Sequence, residues 1–184
     1  AGASTRMDGV NKQLEKIGDT PIFVMSALKF DRCEKVGEII IAAPSEDAAR
    51  YEKLARNFGV TKLAAVTEGG ATRFLSVKNA LEKVSPKADF IAIHDGARPL
   101  ILPEDIDRVI FDAEKYNAAI AAVPAADTVK IVGSNGFIES TPPRNKLYYA
   151  QTPQIFKKKL YLDCVEKLGR LAENVTDDSS ILEM

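Results

Sequence analysis

Four short apolar runs, at residues 38–43, 62–67, 90–93 and 118–123, punctuate a chain of otherwise mixed polarity. They are rich in Ile, Val, Ala and Phe without regular polar alternation, the signature of strands buried on both faces. The stretches 46–58, 72–84 and 103–115 between them read as helices, the first of them amphipathic. An earlier helix is predicted over 22–30, where Thr20-Pro21 supplies a proline for the first turn. Ser45 is the predicted N-cap of the 46–58 helix and Gly59 its stop. Strands alternating with helices of this length predict an α/β fold: a mostly parallel sheet, helices on both faces, one domain over 1–184.

Two stretches break the alternation. Short β-like runs at 128–132 and 137–140 flank Gly133-Ser134-Asn135-Gly136, and an Asn-Gly between such runs signals a hairpin. Residues 128–146 are expected to project as an inserted β-hairpin arm that contacts a second subunit; a solvent-exposed excursion is the open alternative. Pro142-Pro143-Arg144-Asn145 and Ala150-Gln151-Thr152-Pro153-Gln154 then read as a fixed loop rather than a regular element. At the ends, the chain opens directly in a glycine-containing loop, and Met184 falls inside a helical pattern. The first strand and a C-terminal segment of the full protein are therefore expected to be missing.

Composition narrows the function classes. A formal net charge of −1 gives no basic field for nucleic acid or an anionic membrane. The two cysteines, Cys33 and Cys164, are far apart, which disfavours a disulfide framework or a metal knuckle and fits a reducing compartment. No apolar run approaches a membrane span and no secretory signal is visible, so a cytoplasmic protein is expected.

The candidate chemistry gathers at loops. The 90–93 strand ends in His94-Asp95-Gly96-Ala97-Arg98-Pro99, and ligands of open α/β sheets bind outside the carboxyl ends of strands. Asp95 is a hard oxygen donor suited to Mg²⁺; Arg98 reads as loop scaffold pairing with a carboxylate. His94, the single histidine, reads as a satisfied hydrogen-bond partner, not an acid or base. Gly2-Ala3-Ser4-Thr5-Arg6-Met7 with Lys12 can form a nest of backbone N–H groups with two added cations for phosphate; an ordinary polar loop is the alternative. Gly69-Gly70 followed by Ser76 allows a base edge to approach the backbone, or is simply a strand-to-helix turn capped by Thr72. Thr176 or Asp177 is a candidate N-cap before the last helix.

Taken together, these segments resemble the 2-C-methyl-D-erythritol 4-phosphate cytidylyltransferase family. The resemblance rests on Ala1-Gly2 with Arg6-Met7 and Lys12-Gln13, and on Gly69-Gly70 with Arg73 and Ser76-Val77. It continues through His94 to Pro99, Ala126-Asp127-Thr128-Val129-Lys130, Gln151-Thr152-Pro153-Gln154 and Thr176-Asp177-Asp178, in family order. It implies a Rossmann-like nucleotidyltransferase fold and a homodimer joined through β-arms. The implied reaction joins CMP from CTP to the methylerythritol phosphate and releases pyrophosphate, with Mg²⁺ or another divalent cation as cofactor. Arg6 and Lys12 are then the catalytic cations, and Ala1, Gly2, Ala3, Gly70 and Ser76 the cytidine-recognising positions. Asp95 and Ala97 fall on substrate positions, Asp95 also on the metal position. Arg144, Thr152 and Thr176 would hold the methylerythritol phosphate, with Arg144 reaching across the dimer. Asn11 stands where the family pattern has proline, and the family's later lysine lies beyond Met184. A ribitol 5-phosphate cytidylyltransferase and a non-catalytic nucleotide-binding module are the alternatives; a dehydrogenase is disfavoured because no GxGxxG follows a strand.

Overall fold

A computed structural model of the chain describes residues 11–184. Ala1, Gly2, Ala3 and Arg6 lie outside the described residues. A short antiparallel ladder of β1 (Lys16–Ile17) and β2 (Thr20–Pro21) turns at Gly18, whose φ of +61° suits glycine, and runs into α1 (Ile22–Asp31). Strand β3 (Ile39–Ala43) is followed by α2 (Ala48–Asn57) and β4 (Leu63–Glu68), and β3 and β4 pair in parallel across that helical crossover. Ser45 is not the helix cap expected of it: it opens a single 3-10 turn, Ser45–Asp47, ahead of α2. Gly59, at φ +82°, does close the helix.

Next come α3 (Arg73–Leu81), β5 (Phe90–Ile93), α4 (Pro103–Tyr116) and β6 (Ala118–Pro124). Thr72 caps α3 by accepting from the Leu75 amide at 3.1 Å. Pro103 opens α4, and left-handed Asn117 closes it. The hairpin of β7 (Ile131–Val132) and β8 (Ile138–Ser140) follows, antiparallel as its Asn-Gly turn predicts. Strand β9 (Tyr148–Lys157), α5 (Lys158–Leu168) and α6 (Ser180–Glu183) complete the order.

Strand β9 corrects the loop expected over 150–154. It lies between β5 and β6, antiparallel to both, so β5 and β6 run in the same direction with β9 as the antiparallel exception. The prolines and amides that argue against a strand are accommodated by a bulge. Ile120 faces Gln154 and Ala122 faces Ala150, so Gln151, Thr152 and Pro153 together oppose Ala121. A proline without an N–H is tolerated where the ladder is already interrupted, and bulges re-aim side chains beside functional sites.

One buried cluster packs Phe23 and Val24 of α1 against Tyr51 and Ala55 of α2 and Ala43 of β3. Another joins Ile91, Phe156, Tyr161, Phe74 and Ile181, locking β5, β9, α3, α5 and α6 together. Phe156 is 1% exposed and its ring centroid lies 5.3 Å from that of Tyr161. Phe156→Ala should lower the unfolding free energy by about 3–5 kcal/mol in chemical denaturation, through lost burial and the cavity left behind. A loss below about 1 kcal/mol would mean that β9 is not a core strand.

Candidate functional site

The end of β5 and the bulge of β9 meet at Asp95. The Asp95 amide donates to the Thr152 hydroxyl at 3.2 Å, and that hydroxyl lies 3.0 Å from His94 Nδ1. His94 Nε2 meets the Arg98 carbonyl at 3.1 Å, and its ring packs on Phe30. Both ring nitrogens are thus occupied, as expected of a satisfied histidine. Arg98 is the scaffold its sequence context predicts: Nε donates to Asp95 Oδ2 at 3.0 Å and Nη1 to Gln151 Oε1. Ala97 sits exposed at the crest of this loop.

A second guanidinium reaches Asp95 from the start of α3. Arg73 Nε donates to Asp95 Oδ1 at 3.4 Å, while its Nη1 pairs with Asp178 Oδ2. Asp178 is 1% exposed and also accepts from the Tyr161 hydroxyl at 2.8 Å. Burial opposes the charge on Arg73, but Asp178 and then Asp95 outweigh it and hold the guanidinium more firmly protonated. Burial pushes the Tyr161 phenol upward, and the Asp178 carboxylate adds to the shift, so the hydroxyl remains a donor.

Gln154 fixes the loop that carries Asp178. Its Oε1 accepts from the Asp178 and Ser179 amides at 2.9 and 3.0 Å, and its Nε2 donates to Asp177 Oδ2 at 2.8 Å. Asp177 Oδ1 in turn accepts from the Ser180 amide and hydroxyl at the start of α6. Burial works against the Asp177 charge, yet the bonds from Ser180, Gln154 and Ser179 outweigh it and hold its pKa below the usual value. No buried side-chain polar atom lacks a partner among the described residues.

Gly70 and Ser76 meet at the start of α3. The Gly70 amide donates to Ser76 Oγ at 3.0 Å, and Ser76 Oγ donates to the Thr72 carbonyl at 2.9 Å. A Cβ on Gly70 would lie 2.3 Å from that of Leu75, so only glycine permits this approach. Lys12 is exposed on the loop before β1. Its neighbour Gln13 packs against the Asp95 loop, where a Cβ on Gly96 would stand 3.7 Å from Gln13 Cδ. Asn11, at the position where the family pattern has proline, accepts from the Gln13 amide through Oδ1 at 3.3 Å. Thr176 lines an open cavity of about 520 Å³ with Asp177, Tyr148, Ala122 and Ser180. Arg144 is not drawn into this cluster: it lies on a 3-10 turn and donates to the Ala126 carbonyl at 2.8 Å. No group of three or more His, Cys, Asp and Glu that could hold a metal ion occurs among the described residues.

Four of the quoted motifs, at 69–77, 94–99, 151–154 and 176–178, therefore meet where β5 ends and β9 bulges. A sequence model of the 2-C-methyl-D-erythritol 4-phosphate cytidylyltransferase family matches residues 1–184. The chain belongs to that family. A family protein of Lachnoclostridium phytofermentans is 36% identical over 185 residues, spanning all of this chain and 79% of that protein. One of Caldanaerobacter subterraneus subsp. tengcongensis is 37% identical, with 82% of its length covered. Among solved structures, the 4-diphosphocytidyl-2C-methyl-D-erythritol synthase of Anaerococcus prevotii superposes with a TM-score of 0.85 at 29% identity. That superposition covers 95% of this chain and 76% of the other. The α/β Rossmann-like nucleotidyltransferase fold expected from the resemblance is the one observed.

Sequence reasoning named Asp95, Thr152, Gly70 and Ser76 but gave no site role to Arg73, Gln154, Tyr161 or Asp178. Three of these four stand inside the quoted motifs. Tyr161 had no signal, being one aromatic among the apolar positions of α5.

Burial drives the His94 pKa below its ordinary value of 6.5, against opposing contributions from the Arg98 carbonyl and Asp95. Above about pH 6.5 the imidazole is neutral in folded and unfolded chains, and its contribution to stability is whole. As pH falls, the unfolded chain takes up the proton first and stability drops until the lower folded pKa is passed. The urea midpoint should therefore fall from about pH 7.5 to about pH 5.5, and fall less steeply in His94→Gln. Equal slopes would mean that His94 is not held neutral.

Proposed function

We propose that this chain transfers CMP from CTP to 2-C-methyl-D-erythritol 4-phosphate. An oxygen of the alcohol's phosphate attacks the α-phosphorus of CTP in line, and a new P–O–P linkage forms. The bond to the β-phosphate oxygen breaks and pyrophosphate leaves with its electron pair. Little covalent work falls to the protein in such a reaction; catalysis is positioning and stabilisation of charge. The observation that carries the reading is the meeting of Asp95, Arg73, Thr152, Gln154 and Asp178, from four separate motifs, at one sheet end.

In this reading Gly70 and Ser76 face the cytosine base, with Ala1, Gly2 and Ala3 completing its pocket. Arg6 and Lys12 hold the triphosphate and offset the negative charge that grows on it. Arg73 and Arg98, one on each oxygen of Asp95, orient that carboxylate toward the substrates. A magnesium ion carried in by the triphosphate would need only one or two carboxylates beside the substrate phosphates; Asp95 is the candidate, with Arg73 and Arg98 already on its two oxygens. When bound, that ion would supply further charge neutralisation on the phosphates. Thr176 and Thr152 offer hydroxyls to the alcohol phosphate, with Arg144 coming from a second copy of the chain. Support for a homodimer comes from the hairpin itself, where Val132, Phe137 and Ile138 are 53%, 74% and 63% exposed. Large apolar side chains left exposed together on one short hairpin fit an interaction site. No helix among the described residues is long and apolar enough to cross a membrane, and charged phosphate substrates do not cross a bilayer unaided, which supports a cytoplasmic enzyme.

Pyrophosphate release should be substantial with CTP and 2-C-methyl-D-erythritol 4-phosphate, and small with ATP, GTP or UTP or with ribitol 5-phosphate. Faster release with ribitol 5-phosphate would overturn the substrate, and CTP binding without release would leave a nucleotide-binding module. Lys12→Ala and Arg6→Ala should each lower turnover by about a hundredfold or more, a few kcal/mol of transition-state stabilisation; near-normal turnover would remove these roles. A Phe137→Asp, Ile138→Asp pair should halve the mass measured by light scattering, and an unchanged mass would remove the arm from the dimer interface.

A further inference from the structure

The loop around Lys12 is held from beneath by a side chain that no motif includes. Tyr51, on α2, is fully buried, its ring tilted against Phe23 with centroids 4.5 Å apart. Its hydroxyl lies 3.2 Å from Asn11 Oδ1 and 3.1 Å from Gln13 Oε1, the two residues that flank Lys12. The single phenolic proton serves one of these carbonyls at a time, and a buried hydroxyl left without either would forfeit its solvation uncompensated. The rest of the loop is tied down as well. Leu14 donates its amide to the Asn11 carbonyl at 2.9 Å, and Phe23 donates to the Gln13 carbonyl at 3.1 Å at the start of α1. Gln13 also lies beside the Asp95 loop, its Cδ 3.7 Å from where a Cβ on Gly96 would stand, and the Gly96 carbonyl accepts from Ser26 Oγ at 2.9 Å.

We infer that Tyr51 is a positioning residue for Lys12: its hydroxyl clamps Asn11 and Gln13, so that the exposed ammonium between them is presented to the triphosphate at a fixed distance from Asp95. The inference rests on the reading of Lys12 as a triphosphate-holding cation. A lysine is a point charge on a long flexible stem, so the position of its backbone sets how much of its charge reaches the reacting phosphate. Displacement of such a group by about 1 Å is enough to cost about a hundredfold in rate. The clamp links three elements otherwise distant in the chain: α2 through Tyr51, the Lys12 loop, and the Asp95 loop through Gln13. Titration does not disturb it, because burial raises the Tyr51 pKa and keeps the phenol protonated.

Tyr51→Phe removes only the hydroxyl, and Asn11→Ala removes one of its partners at a half-buried loop position. Each should lower kcat by about tenfold while changing the KM for CTP much less. Tyr51→Phe added to Lys12→Ala should cost nothing further, since the clamp acts through the ammonium. Amide hydrogen exchange at Gln13 and Leu14 should rise in Tyr51→Phe. Equal losses of kcat in the presence and absence of Lys12 would overturn the proposal, as would faster exchange with unchanged kcat. Should Lys12→Ala itself keep wild-type turnover, the reading of Lys12 fails separately. The clamp is then judged by exchange alone, and unchanged exchange at Gln13 and Leu14 overturns it.

Discussion

A buried carboxylate imposes more on this molecule than any other single group. Asp178 is almost wholly removed from water, and an uncompensated charge in that setting costs several kcal/mol. Two side chains answer the charge, Arg73 from the start of α3 and the Tyr161 hydroxyl from α5, while Gln154 from β9 accepts from the Asp178 backbone amide. Because these partners come from distant parts of the chain, satisfying Asp178 docks the glycine turn after β4, the β9 bulge and the loop before α6 against one another. What remains of Arg73 then reaches Asp95. The pair stabilises little by itself, since breaking a buried pair is far costlier than having it is favourable. Its effect is to determine where things sit.

The β9 bulge is the second constraint, and it follows from Pro153 and its neighbours. A regular ladder would have paired Thr152 across to β6; within the bulge its hydroxyl instead meets the Asp95 amide and His94. Gln154, directly after the bulge, resumes pairing with Ile93 and Ile120 while its side chain holds the Asp177-Asp178 turn. One local irregularity thus joins two site loops. On either side, packing among Phe156, Tyr161 and Ile181 keeps those loops from drifting apart.

Strands buried on both faces announce themselves, which is why the apolar runs at 38–43, 62–67, 90–93 and 118–123 coincide closely with β3, β4, β5 and β6. Strand β9 did not, because Pro153 and two glutamines interrupt it and a bulge has no signature of its own in hydropathy. Thr72 was legible as a cap because capping is local. Ser45 was misleading for the complementary reason, as an extra 3-10 turn separates it from α2. Among site residues, glycine turns and the carboxylate at a strand end were visible, while the partnership of Arg73 with Asp178 spans 105 positions and has no local pattern. Gln154 and Tyr51 were hidden by the same fact: a buried polar tip is defined by what surrounds it.

The central claim is that the Arg73–Asp178 pair sets the geometry of Asp95, the carboxylate proposed to face the substrates, as well as the stability of the fold. Asp178→Asn tests it most directly, with pyrophosphate release from CTP measured below the variant's own melting temperature. The account predicts that turnover falls by at least about tenfold while the protein is still folded. Wild-type turnover in a folded but less stable variant would contradict it, leaving Asp178 as a structural anchor with no hold on the site.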